Sequence, residues 1–178
     1  MINWRPAEAE DIGGLQAFTC HKERKYPPGT PYSIRNHHDR WVRRAQSLVR
    51  SIKPPRYPHE DALLCYLEED GVVDGVLYAG TPSLDNKSGR LLVPVYVLAR
   101  SNRARGKAVG ASAMQQLEDI ASKAAAVFLD IETVYFAALV HKENKPCRSL
   151  LASSGWWENG STNDPEYDEW WYSIGFED

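Results

Sequence analysis

The stretch richest in groups that could do chemistry reads Arg100-Ser101-Asn102-Arg103-Ala104-Arg105-Gly106-Lys107-Ala108-Val109-Gly110. It joins an apolar run, Leu91–Ala99, to a helical pattern over Ala108–Ala125. A helix start exposes unbonded backbone N–H groups and the positive end of the helix dipole. Glycine and alanine there let an oxyanion approach those N–H groups closely, and arginine and lysine add charge. The chemistry this predicts is anion binding, with phosphate or pyrophosphate as the ligand; a basic surface turn is the plainer alternative. Two familiar phosphate motifs do not fit. Gly106-Lys107 is followed by Ala108 where a P-loop needs Ser or Thr, and GxGxxG is absent.

The remaining reactive side chains form no comparable cluster. Cys20, Cys65 and Cys147 are widely spaced without a CxxC pair, and His37-His38 and His59 read as loop residues without ligand spacing. No metal site is expected. Asn86-Lys87-Ser88 and Asn159-Gly160-Ser161 match the glycosylation pattern and read as chance matches.

The elements that must position the basic segment follow from periodicity. Ile2–Arg5 reads as a short strand, and Pro6 opens a helix with Glu8, Glu10 and Asp11 in its first turn and Ile12, Leu15 and Phe18 on one face. Tyr26–Pro31 is a loop by composition. Trp41, Ala45, Leu48, Val49 and Ile52 share a face of a helix over His38–Ile52, with Arg40, Arg43, Arg44 and Arg50 opposite, and Pro54-Pro55 stops it. Ala62–Glu68 and Val72–Ala79 flank Asp70-Gly71 as a hairpin. Leu91–Ala99 is almost wholly apolar, so it reads as a central strand, with a bulge or break expected at Pro94. Val109, Ala113, Leu117, Ala121 and Ala124 mark the packed face of the following helix. Then come a strand over Thr133–Val140, a short helix between Pro146 and Gly155, a polar loop over 157–166 and an aromatic strand over Trp170–Phe176. Strands followed by a strand–helix–strand–helix–strand run predict a mixed α/β sheet with helices on its faces.

Composition frames these elements. The chain has 178 residues, 43% hydrophobic and 25% charged, which suits one globular domain and excludes collagen, coiled coil and bulk disorder. No apolar run reaches the roughly 18 residues of a membrane span, and the first residues lack the pattern of a secretion signal, so a cytoplasmic protein with reduced thiols is expected. The net charge of −3 conceals an asymmetry: residues 1–58 carry +6, residues 59–178 carry −9, and 158–178 contain no Lys or Arg. That division fits either two partners of opposite charge or two solvated faces.

Taken together, these residues resemble the GNAT acetyltransferases. Their acyl-CoA loop, [Q/R]-x-x-G-x-[G/A], lies at the same strand-to-helix junction. Arg103–Ala108 satisfies it, as does Arg105-Gly106-Lys107-Ala108-Val109-Gly110 in a second register, with Ala108 for the middle glycine. The second register also places Val109, Ala113 and Leu117 on the packed face. A further family pattern fits Asn144, Cys147, Leu151 and Gly155-Trp156. The resemblance covers nearly the whole chain and is clearest from Leu91 to Trp156.

The resemblance implies a single domain over 1–178: a helical part at 1–60 bordering the acceptor cleft, the central sheet and acyl-CoA loop at 61–140, and the last helix and strands at 141–178. It implies a mostly antiparallel sheet of about six to seven strands with helices on both faces and two neighbouring parallel strands splayed apart. Acetyl-CoA would lie in that gap, held by Val97, Leu98 and Ala99, by Arg103, Arg105, Gly106, Lys107, Ala108, Val109 and Gly110, and by Asn144. An amine would attack the thioester directly. Where many members carry a general-acid Tyr, this chain has Leu151. Tyr96 is a displaced candidate for that role, and His141, Glu132 and Glu143 are candidates for the base. Glu158, Asp164 and Glu166, in an acidic and aromatic segment, would attract a cationic acceptor, either a small molecule or a protein amine. The alternatives are an acyl-CoA-binding module without catalysis and, through the basic helix His38–Ile52, acetylation of an RNA-linked substrate; a nucleic-acid partner is not expected. A monomer and a homodimer fit equally.

Overall fold

A computed structural model describes residues 2–22, 25–54, 61–67, 70–85, 88–128 and 131–176, without the side chains of 35–39. Its strands are β1 (Trp4–Pro6), β2 (Ala62–Leu67), β3 (Val73–Ala79), β4 (Ser83–Asp85), β5 (Arg90–Arg100), β6 (Thr133–His141), β7 (Trp157–Ser161) and β8 (Tyr167–Gly175). The helices are α1 (Ile12–Ala17), preceded by a 3-10 turn at Ala9–Asp11, then α2 (Tyr32–Ser51), α3 (Val109–Val127) and α4 (Lys145–Ser153). All eight strands form one sheet in the order β1-β2-β3-β5-β6-β8-β7, with β4 on β5. Every pairing is antiparallel except β5–β6, which α3 joins as a crossover.

Two buried clusters lie on opposite faces of this sheet. One packs Val109, Ala113, Leu117, Ile120, Ala121 and Ala124 of α3 and Leu151 of α4 against Leu91, Val93, Val134 and Phe136. The other packs Leu15, Phe18 and Val49 against Leu63, Cys65, Val76, Val97 and Ala99. Each fully buried leucine, such as Leu15 and Leu117, stabilises the fold by about 1.5–3 kcal/mol.

Strand β5 serves both clusters by changing sides midway. Tyr78 is opposite Val97 and Ala79 is opposite Val95, so Tyr96 is the extra residue of a bulge. Before it, Leu91 and Val93 face α3; after it, Val97 and Ala99 face α1 and α2. Without the bulge these odd-numbered residues would share one face. Gly80 makes room, since a Cβ there would lie 2.3 Å from the Tyr96 ring. The expected break at Pro94 is therefore displaced: Pro94 keeps its register with Ala137, and its carbonyl accepts the Gly80 amide at 2.7 Å.

The structure corrects several boundaries. The first helix begins beyond Pro6, because Asp11 is buried against Arg5, both guanidinium contacts being 2.7 Å. Helix α2 starts at Tyr32, before the predicted His38, so His37 and His38 are helical rather than loop residues; their side chains, and His59, lie outside the described residues. Strand β4 was not expected, and the segment read as a polar loop contains β7, whose edge position allows it to be exposed throughout.

Candidate functional site

The parallel ladder between β5 and β6 runs from Leu91/Val134 to Val95/Ala138 and ends there. Beyond it β5 continues to Arg100, paired only with β3, and β6 continues to His141, paired only with β8. The facing backbone groups of Tyr96–Ala99 and Leu139–His141 thus lose their mutual partners, and buried N–H and C=O groups require others. A cavity of about 620 Å³ occupies the gap and reaches both faces of the sheet. It is lined by Val97 and Leu98 on β5, Leu139 and His141 on β6, Met114 on α3, and Asn144, Cys147 and Leu151 on α4. Its other wall includes Trp41, Arg44 and Leu48 of α2 and Tyr167 and Glu169 of β8.

At one end of this gap the basic segment turns into α3. Gly106 adopts φ +85°, the left-handed region that glycine enters without strain. Ser112 is the first residue whose amide closes onto the helix, at 2.9 Å from the Ala108 carbonyl. Among the described residues, no backbone carbonyl takes the amides of Gly106, Ala108, Gly110 or Ala111. Gly110 has a second reason to lack a side chain: a Cβ would lie 2.6 Å from Leu150 on α4. Arg105, Lys107 and Ala108 are exposed, whereas Val109 is buried in the α3 core.

Arg103 behaves differently from its neighbours. Its Nε donates to Asp74 Oδ1 at 2.7 Å and its Nη2 to Asp70 Oδ1 at 2.8 Å. Asp74 is fully buried and also accepts the Ser101 hydroxyl, while its carbonyl takes the Ser101 amide at 2.8 Å. The Arg103 guanidinium holds the Asp70 carboxyl far below the usual carboxylate range, first through that hydrogen bond. The side chain predicted to hold phosphate is thus spent on anchoring the loop to β3.

Helix α4 borders the other side. The Asn144 side chain caps it, accepting the Cys147 amide at 3.3 Å, and Pro146 sits in its first turn. Leu151, in the place of the family's acid, is 3% exposed. Cys147, one turn before it, also lines the cavity; burial pushes its thiol up to about 11, so the neutral thiol prevails near neutrality. Trp156 is buried, with its indole N–H unpartnered among the described residues.

On the α2 side, His141 is 7% exposed, with Trp41 stacked on its ring at 6.2 Å and Tyr167 edge-on at 5.1 Å. Its Nδ1 accepts the Glu143 amide at 3.1 Å. Tyr96 lines the same cavity, 56% exposed.

The structure does not bring the other acid–base candidates to the opening. Glu132 precedes the paired end of β6 and lies at the opposite end of the strand; its carbonyl takes the Phe176 amide at 2.8 Å. Glu143 sits in the exposed turn after β6, outside the cavity lining. The acidic segment is largely neutralised within the protein. Glu158 pairs with Arg148 at 2.9 Å, Glu166 with Arg40 at 3.6 Å, and buried Asp168 with Arg148 and Lys142. Of Glu158, Asp164 and Glu166, only Asp164 lines the cavity. Glu169 and Tyr167, within the acidic and aromatic segment, and Arg44 and Trp41, within the helical part expected to border the acceptor cleft, line it too, although sequence reasoning did not single out these side chains. The alternation of β8 carries the signal for Tyr167 and Glu169, once that strand is known to start at Tyr167.

No protein-family model and no curated protein sequence matches the chain. Solved structures do. An N-acetyltransferase, PaiA, from Thermoplasma acidophilum in complex with coenzyme A superposes with a TM-score of 0.62 at 13% identity, over 98% of this chain and 99% of that one. The GNAT domain of S. lividans PAT gives 0.61 at 18% identity, over 96% and 89%. A phosphinothricin acetyltransferase from Sinorhizobium meliloti in complex with AcCoA gives 0.54 at 16% identity, over 98% and 89%. The splayed parallel pair, the strand-to-helix loop and these superpositions agree: the fold of this chain is that of the GNAT acetyltransferases.

Proposed function

We propose that this protein is an acetyl-CoA-dependent N-acetyltransferase acting on a primary amine. The observation that carries this reading is the end of the β5–β6 ladder at Val95/Ala138, from which a cavity opens that is continuous from α3 and α4 to α2 and β8. The residues present fit the cofactor. The backbone of Val97–Ala99, unpaired on its β6 side, suits the amide groups of a pantetheine arm, and the unbonded amides of Gly106, Ala108, Gly110 and Ala111 suit a pyrophosphate. Arg105 and Lys107 add charge at the rim, Asn144 borders the gap, and Arg103 fixes the loop through Asp74.

Bound acetyl-CoA supplies an activated acetyl group: the amine nitrogen forms the new C–N bond, the thioester C–S bond breaks, and one proton leaves nitrogen as one reaches sulfur. The chain contributes mainly positioning. Freed N–H groups of β5 polarise the acetyl carbonyl, as in an oxyanion hole. Leu151 offers no proton to sulfur, so water or another group in the cavity, such as Tyr96, supplies it. His141 and Glu169 border the acceptor.

Calorimetric titration with acetyl-CoA, followed by a thiol-release screen over amines, tests the reading. Saturable micromolar binding and turnover are expected, and a folded protein that does not bind acetyl-CoA overturns it. The second reading, a module that binds acyl-CoA without catalysis, is favoured by Leu151 alone; binding without turnover on any amine would select it.

A further inference from the structure

We infer that the acceptor amine carries an acidic group, and that Arg44 together with the Nε2–H of His141 binds it. This rests on the acetyl-transfer reading and names its substrate class: a small amine of the amino-acid type, bearing a carboxylate or a related oxyanion, rather than a polyamine.

His141 Nδ1 accepts the Glu143 amide at 3.1 Å. An accepting nitrogen presents its lone pair, so the neutral imidazole carries its proton on Nε2. Trp41 against the face and Tyr167 at the edge hold the ring in that orientation. Nε2 is thus a fixed donor in the cavity wall with no acceptor among the described residues, and the ring's one lone pair is engaged elsewhere. The neutral ring is set to donate, which removes the base role expected from its pKa class.

Arg44 is the second donor. It lines the cavity with its guanidinium 5.6 Å from the centre of the Tyr167 ring. Among the described residues no carboxylate pairs with it, whereas Arg5, Arg40, Arg103 and Arg148 all have one. Two donors packed on one tyrosine make a site for an oxyanion, which a guanidinium matches with two parallel hydrogen bonds. A polycation would instead meet Arg44 as a like charge.

The amine end has its own acceptor. His141 is paired with Tyr167 and Leu139 with Glu169, so the Glu169 row is two residues along the same face, about 7 Å away. Glu169 accepts Asn159 Nδ2 at 2.9 Å on Oε2, leaving Oε1 to receive an amine N–H. Donors at one row and a carboxylate at the next select a zwitterion.

The test compares acid-bearing amines with their decarboxylated counterparts: alanine with ethylamine, phenylalanine with phenethylamine, and spermidine as the polycation. The wild type is expected to favour the acid-bearing member in kcat/KM. Arg44→Gln should cut that preference about tenfold, mainly through KM. His141→Gln, which keeps an N–H near the Nε2 position, should retain most of the rate, and His141→Phe should lose the preference. Acetyl-CoA titration of each variant reports folding and the cofactor site. Equal or better turnover of the decarboxylated amines, or equal loss of rate in His141→Gln and His141→Phe, overturns this inference while acetyl-CoA binding stands. Failure of the wild type to bind acetyl-CoA overturns the acetyl-transfer reading beneath it.

Discussion

The segments 100–110 and 157–169 are both densely charged, and the structure treats them in opposite ways. In the first, Arg103 is spent internally, on Asp70 and Asp74, while Arg105 and Lys107 stay exposed around unbonded amides. In the second, Glu158 is tied to Arg148, Glu166 to Arg40 and Asp168 to Arg148 and Lys142. The basic loop is held in place by one of its own cations. The acidic segment is mostly a folded ion-pair network, with Asp164 and Glu169 left at the cavity. A count of like charges along a chain therefore says little about a ligand until their internal partners are subtracted.

The largest effect should come from inverting the charge of the basic loop. The double variant Arg105→Glu, Gly110→Glu places carboxylates beside the amides and a side chain against Leu150. It should lose about 100-fold or more in acetyl-CoA affinity by calorimetry. Unchanged affinity in a folded variant would remove the loop from the cofactor site.

Next comes the anchor. Asp74→Ala leaves the Ser101 hydroxyl and part of the Arg103 fork without their buried acceptor. It should cost about 2–4 kcal/mol, seen as a melting temperature lower by roughly 5–10 °C. Acetyl-CoA affinity should fall with it, and wild-type affinity in a destabilised Asp74→Ala protein would separate the anchor from the site.

A smaller, pH-dependent effect belongs to Asp11, whose carboxyl is held low first by the Arg5 hydrogen bond. A depressed folded-state pKa means that its contribution is complete above the usual carboxylate range and is lost as pH falls through the folded value. Melting temperatures measured from pH 7 downwards should fall less steeply for Asp11→Asn than for the wild type.

The smallest change is expected at Glu158→Gln. Because Glu158 serves Arg148 outside the cavity, the acceptor KM should move less than about twofold, in keeping with a surface ion pair. A KM rise of tenfold would show that the acidic segment does reach the acceptor.

Much of this was legible in the chain. The apolar run Leu91–Ala99, the face Val109–Ala113–Leu117 and the Asn144–Cys147 spacing are local patterns, and local patterns locate the splayed strands, α3 and α4. The far wall of the cavity was legible only as segments, the helical front and the acidic stretch, since which of their side chains reach it depends on pairing between distant segments. Trp41 and Leu48 belong to the apolar stripe of α2, yet they meet the cavity while Val49 meets the core. Glu169 reaches the cavity only through its register with Leu139. The bulge was displaced from Pro94 to Tyr96 because Gly80, on the connection after β3, admits the tyrosine ring. Strand β7 lacked a pattern because an edge strand need not alternate.

The early end of the β5–β6 ladder also bears on how the molecule opens. A sheet ordinarily exchanges its amide hydrogens fastest at its rim and slowest at its centre. Here the central strands carry a stretch, Tyr96–Ala99 facing Leu139–His141, that is paired outward with β3 and β8 but not across the gap in the middle of the sheet. Deuterium should therefore enter the ligand-free protein from within, ahead of the flanking β2–β3 and β6–β8 ladders. A ligand that fills the gap would act as a missing strand, slowing exchange there and bridging the two central strands beyond Val95/Ala138.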